Sequence, residues 1–252
     1  MPIRLGTNRI SRLIVGVLSQ PWTPADITTA FWLDATDAST LTLSGTDVTA
    51  WADKSGNSND FTPPSALYAS YDATGLNGMP AVVWPTSTNT IRYLTSNTFA
   101  LAEFAFIGSY QDGTPTTWGY NFAGVVTSGG GDTSLIGNLT GTDKFYGVSS
   151  YYSGSRDGVV SDYRTTSAAL PINTTFFSLH RPTGALTSTW QIGNDRTNAN
   201  RGWQGPFGEF IGTATKWDDA TRQKVEGYLA WKWGVEANLP VGHPYKDSRP
   251  TV

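Results

Sequence analysis

The chain has no cysteine, only two methionines and two histidines in 252 residues. Without thiols there is no disulfide framework, no thiolate zinc site and no cysteine nucleophile. Two histidines, His180 and His243, cannot build a histidine-rich metal centre and leave few routes to imidazole catalysis. Charge is also scarce: 15% of residues are Asp, Glu, Lys or Arg, and the net charge is −3. A surface of that kind does not attract polyanions, so nucleic acid is not an expected partner. Long hydrophobic runs are missing as well. The longest near the start covers residues 13–18, far short of a membrane span and of a signal-peptide core, although Arg4, Arg9 and Arg12 before it imitate a basic leader. Neither a signal peptide nor a membrane segment is expected.

What the chain does have is aromatic mass: ten Trp, eleven Tyr and eleven Phe, within an apolar fraction of 38%. That is enough for a sizeable core, and the length suits one large β domain. Apolar runs recur at 31–33, 48–51, 81–84, 104–107, 122–126, 145–148, 176–179, 186–192 and 207–211. Turn formers separate them, including Ser55-Gly56-Asn57, Asn77-Gly78, Asp112-Gly113, Asp157-Gly158 and Gly193-Asn194-Asp195. Many short runs at this spacing predict an antiparallel sandwich or jelly roll.

One helix is predicted, from about 219 to 233. Asp218 or Asp219 would cap it and Gly234 would stop it. Val225, Leu229 and Trp233 form an apolar stripe widened by Tyr228, with Arg222, Lys224, Glu226 and Lys232 assigned to the wetter sides. Such a helix would pack on the sandwich edge or close one end. Residues 1–26 read as a separate extended arm, with Ile3, Leu5, Ile10, Leu13 and Val15 as its β-prone apolar positions. The arm is either a first strand of the sandwich or a segment that pairs with another chain's sheet edge; the pairing physics is the same.

Two blocks are more specific. The first is Phe31-Trp32-Leu33-Asp34-Ala35-Thr36-Asp37-Ala38-Ser39-Thr40-Leu41 followed by Val48-Thr49-Ala50-Trp51-Ala52-Asp53-Lys54-Ser55-Gly56-Asn57, with Leu76-Asn77-Gly78-Met79-Pro80-Ala81-Val82 after it. The second is Gly208-Glu209-Phe210-Ile211, then Arg222 to Gly234 with Tyr228-Leu229-Ala230-Trp231-Lys232-Trp233 at its centre, then Leu239-Pro240 and His243-Pro244-Tyr245. Together they resemble laminin-G-like domains of the concanavalin A-like lectin/glucanase superfamily, over roughly residues 27–246; the middle, 85–205, carries no matching motif. The resemblance implies an all-β, two-sheet antiparallel jelly-roll sandwich in residues 27–252, whose rim loops often bind glycans, sometimes with calcium. Ile3-Arg4-Leu5-Gly6 followed by Ile10 resembles the leader of phage structural proteins that carry this domain.

Asp34, Asp37 and Asp53 could supply oxygens to calcium, but are better explained as turn and cap residues. Asp132 and Asp143, around the Gly129–Gly131 loop, are a second calcium candidate; no cofactor is otherwise required. Retaining glycosidases need paired carboxylates about 5 Å apart. None of the chain's four glutamates, Glu103, Glu209, Glu226 and Glu236, starts an alternating acidic strand pattern, and no nucleophile elbow is present. Loop-borne aromatics are the carbohydrate-binding candidates: Tyr110, Trp118, Tyr120, Tyr151, Tyr152 and Trp203, each with core or interface packing as its alternative. Trp32, Trp51, Trp84, Trp231 and Trp233 are assigned to the core. The resulting expectation is a non-enzymatic phage virion protein, a capsid decoration or tail-fibre component. It would attach to other virion proteins through its arm, form a homo-oligomer and contact host glycans. A free carbohydrate-binding or adhesin module is the alternative, and a glycoside hydrolase the third reading.

Overall fold

A computed structural model describes residues 19–85, 92–111, 120–124, 133–135, 153–162, 171–194 and 202–252. The strands are Phe31–Asp34 (β1), Leu41–Ser44 (β2), Asp47–Trp51 (β3), Ser70–Leu76 (β4), Met79–Trp84 (β5), Leu94–Leu101 (β6) and Glu103–Tyr110 (β7). They continue with Tyr120–Gly124 (β8), Thr133–Leu135 (β9), Ser153–Arg156 (β10), Val159–Asp162 (β11), Ile172–His180 (β12), Leu186–Ile192 (β13) and Gly205–Thr213 (β14). One α-helix, Asp219–Lys232 (α1), follows them.

All described pairings are antiparallel. The larger sheet runs β11-β10-β12-β7-β14-β5-β4-β3-β2, and the smaller runs β6-β13-β8-β9. Strand β14 is the hub. One of its edges pairs with β7, and the other is shared by β5, opposite Gly205 to Phe207, and β1, opposite Glu209 to Gly212. Two of the predicted turns close tight hairpins. Asn77-Gly78 and Asp157-Gly158 both take positive φ at both central residues, the twist that two-residue hairpins require.

The central strands are buried on both faces, and period-two alternation sorts their side chains into two cores. Phe104 and Phe106 of β7, Phe177 of β12 and Phe210 of β14 face the smaller sheet, where they meet Phe122 and Trp190. Phe104 and Phe122 stack with centroids 4.6 Å apart. Their neighbours Ala105, Ile107, Phe176 and Ile211 point the other way, against Val225, Leu229, Ala230 and Trp233 of α1. The helix therefore lies on the outer face of the larger sheet, not at a sandwich edge or end. The sheet needs this cover because its second face is itself apolar. Gly208 makes close packing possible: a Cβ there would stand 2.3 Å from the Trp233 ring.

The helix begins as predicted, with Asp218 accepting from Thr221 N at 2.7 Å. Its polar residues depart from expectation: Glu226 and Arg222 are buried against the sheet. Residues 21–26 pack with the domain body. Trp22 is buried edge-on to Tyr228, and Thr23 and Asp26 form a capping box around a short 3₁₀ turn. No described helix is long and apolar enough to cross a membrane.

Candidate functional site

Acidic chemistry concentrates beneath α1, in two buried groups. Asp34 and Glu209 are direct cross-strand partners on β1 and β14. Their carboxylates share one cation, Lys232. Both are buried, and every oxygen is engaged. Glu209 Oε1 accepts from Trp32 Nε1 (2.7 Å) and the Tyr228 hydroxyl (2.9 Å). Its Oε2 accepts from Lys232 Nζ (2.8 Å) and Trp233 Nε1 (2.9 Å). Lys232 also reaches Asp34 at 2.7 Å, and Lys54 bridges Asp34 (3.0 Å) to Asp37 (2.8 Å). Burial raises the Glu209 carboxyl, with Lys232 opposing. Burial also pushes Asp34 upward, but the Lys232 and Lys54 ammoniums and Thr36 hold it below its ordinary value. Burial and the adjacent Glu209 raise the Tyr228 phenol. The arrangement ties helix to sheet through charge-assisted hydrogen bonds.

The second group lies under the first half of the helix. Glu226 accepts from Ser155 Oγ, pairs with Arg222 Nε at 3.3 Å and meets His243 Nε2 at 3.1 Å. Tyr245 N donates to His243 Nδ1, so the proton shared with Glu226 sits on Nε2. The serine and the imidazole thus both face the carboxylate instead of each other, unlike a nucleophile–base pair. Nearby, Glu103 accepts from Trp217 N (2.8 Å) and Ser178 Oγ (3.0 Å), and burial raises its pKa. His180, also buried, is driven down to about 4 by burial and by the Lys216 and Arg222 charges.

The aspartates of the first sequence block serve turns. Asp53 accepts from Trp32 N, Ser55 N, Ser55 Oγ and Asn59 N. Asp37 caps a 3₁₀ turn through Ser39 N, and the Lys54 and Ser39 bonds hold its pKa at about 2. The cation beside Asp34 and Asp37 is the protein's own Lys54. Among the described residues no group of three or more His, Cys, Asp or Glu is placed to hold a metal.

The expected rim aromatics divide. Tyr110 and Trp203 are not rim residues. Both are buried, with Trp203 stacked on Phe207 at 4.5 Å and Tyr110 edge-on to Trp203 at 5.0 Å, because the end of β7 and the entry to β14 fold over the inter-sheet core. Tyr120 opens β8, with its side chain outside the described residues. Trp118, Tyr151, Tyr152, Asp132, Asp143 and the arm positions Ile3, Leu5, Ile10, Leu13 and Val15 lie outside the described residues. Trp231, assigned to the core from its motif, is only half-buried. It donates to Tyr245 O at 2.8 Å and lines an apolar slot of about 200 Å³ with Pro21, Trp22, Tyr228 and Pro250.

Among the described residues, two larger grooves are open to solvent. One, of about 810 Å³, is walled by Thr28, Asn57, Thr215, Lys216 and Asp218 above Trp217 and Phe99. The other, of about 600 Å³, gathers Asn77 from the β4–β5 turn, Ser109 and Gln111 at the end of β7, Asn173 and Thr174 on β12, and Asn238 after α1. Sequence reading missed these residues because they come from four separate places in the chain; only Asn77 carried a local signal, as a turn former. Family models, curated proteins and solved structures were all compared with this chain, and none matches it.

Proposed function

We propose that this is a non-enzymatic structural protein of a phage virion, in which residues 1–20 anchor the chain and a laminin-G-like jelly roll is displayed outward to meet host glycans. The observation that carries the reading is where the described part of the N-terminal segment meets the domain, at the C-terminal residues and beside the helix-side core. The first strand of either described sheet is β1, starting at Phe31. The N-terminal segment joins the body by pairing with the C-terminal residues: Trp22 N donates to Pro250 O and Val252 N to Gln20 O, both at 3.0 Å. Trp22 plugs the helix-side core at that junction. Charge favours an attachment role too. Residues 1–18 carry Arg4, Arg9 and Arg12 and no acid, a charge of +3; the whole chain is −3, so the remainder is −6. A basic β-prone segment suits an acidic partner surface or sheet edge, including that of a second copy.

The alternative, a free carbohydrate-binding or adhesin module, draws support from the uncharged amide groove. Deleting residues 1–18 separates the two while preserving the Gln20–Val252 bond. The display reading expects the truncated chain to keep its cooperative unfolding and lose association with particles and with itself. Loss of the fold on truncation, or undiminished association, would count against it.

A further inference from the structure

We propose that the groove formed by Asn77, Ser109, Gln111, Asn173, Thr174 and Asn238 is a binding site for a neutral, polyhydroxylated ligand, that is, an uncharged glycan segment. Four of these six side chains are carboxamides, and among the described residues no acid or base lines the groove. A carboxamide offers donors and an acceptor together, the pattern that pairs with adjacent sugar hydroxyls. A charged ligand would find no counter-ion here. A peptide side chain would find no open apolar pocket, because Tyr110, Ile172 and Val235 in the lining are buried.

The four amides divide into fixed and free. Asn77 Nδ2 donates to Trp233 O at 2.6 Å, and Asn238 bonds Asp157, so both are held by the fold before any ligand arrives. Pre-ordered groups lose little entropy on binding. Gln111 and Asn173 are exposed and make no side-chain hydrogen bond in the described structure, so their donors and acceptors are available. The groove of about 600 Å³ is within the range of small-molecule sites and has room for a few sugar rings. The inference rests on the display reading only for where such a glycan would be met; binding in solution does not depend on the arm.

The test is an NMR titration of the full ¹⁵N-labelled chain. The probes are neutral oligosaccharides of glucose, mannose, galactose and N-acetylglucosamine, with a sulfated oligosaccharide and a short uncharged peptide as controls. At least one neutral oligosaccharide should shift the side-chain amide signals of Gln111 and Asn173. The double variant Gln111→Ala/Asn173→Ala should unfold as the parent does and bind that sugar roughly fivefold to a hundredfold more weakly, the loss expected for two modest hydrogen bonds. The assignment is overturned if no neutral sugar moves these signals, if the double variant binds like the parent, or if only the sulfated or peptide probe binds. The chain lacking residues 1–18 distinguishes the two proposals. If it binds sugar but its removal of the arm leaves particle association intact, only the anchoring role fails; a full chain that joins particles but binds no sugar fails the groove alone.

Discussion

Replacing Glu209 tests whether the buried carboxylate is what locks α1 to the sheet. Glu209→Ala strands four donors: the Lys232 ammonium, the indoles of Trp32 and Trp233, and the Tyr228 hydroxyl. Breaking a buried ion pair from one side costs about 3–5 kcal/mol. Lys232 keeps Asp34 at 2.7 Å, which argues for the lower end, about 3 kcal/mol. Three orphaned neutral donors at about 1 kcal/mol each bring the total to about 6 kcal/mol. For a domain of this size that lowers Tm by about 12–24 °C. Glu209→Gln keeps the shape and one acceptor oxygen but turns its amide toward Lys232 and Trp233, so about half that loss is expected. Urea denaturation followed by tryptophan fluorescence reads the effect, since Trp32 and Trp233 are themselves partners. Adding Lys232→Met to Glu209→Gln should recover at least about 1 kcal/mol of coupling. A loss below about 2 kcal/mol for Glu209→Ala would show that water or neighbouring groups replace the carboxylate, and the reasoning would fail.

Two further outcomes follow from the same layer. His180 has a folded pKa of about 4 against an ordinary 6.5, so the unfolded chain takes up its proton first as pH falls. The stability tied to keeping it neutral is present above pH 6.5 and drains away down to pH 4, amounting to about 2 kcal/mol between about pH 7 and about pH 5. Glu103 and Glu209 act in the opposite sense, because their raised pKa values make the folded state the better proton acceptor above the ordinary carboxylate range. The measurement is therefore the difference between the parent and His180→Gln in denaturant titrations across that window; parallel pH profiles would refute the assignment. Gly208→Ala should destabilise by about 1–3 kcal/mol or more, because the new methyl meets three Trp233 ring atoms at 2.3–2.7 Å. An unchanged urea midpoint would mean that the helix can shift outward at no cost.

Legibility followed chemistry. Strands β1, β3, β5, β7, β8, β12, β13 and β14 were visible because they are aromatic or β-branched runs, and the most buried of them read as continuous apolar segments. Strands β2, β4, β6, β10 and β11 were not. Sequences such as Ser153-Gly154-Ser155-Arg156 or Leu41-Thr42-Leu43-Ser44 have one wet face or sit near a sheet margin, and propensity alone does not mark them. Arg222 and Glu226 were misplaced because a polar residue on a helix reads as solvent-facing. Here Glu226 is met by Ser155 of the facing sheet, by His243 and by Arg222 itself, and Arg222 also pairs with Asp219, so neither charge is buried without a partner. Tyr110 and Trp203 failed as rim candidates for the converse reason: aromatics next to turn residues look loop-borne until the turn folds back over a core.

The sequence by itself determined the β-rich class, the hairpin turns at Asn77-Gly78 and Asp157-Gly158, the capped helix, and the turn roles of Asp37 and Asp53. All of these are set by side-chain periodicity or by bonds spanning a few residues. Only the tertiary structure decided that the helix covers the outer sheet face, that Asp34 and Glu209 share Lys232, and that Asn77, Gln111, Asn173 and Asn238 line one groove. Those contacts join residues far apart in the chain, and their energies depend on burial and on neighbours that no local pattern specifies.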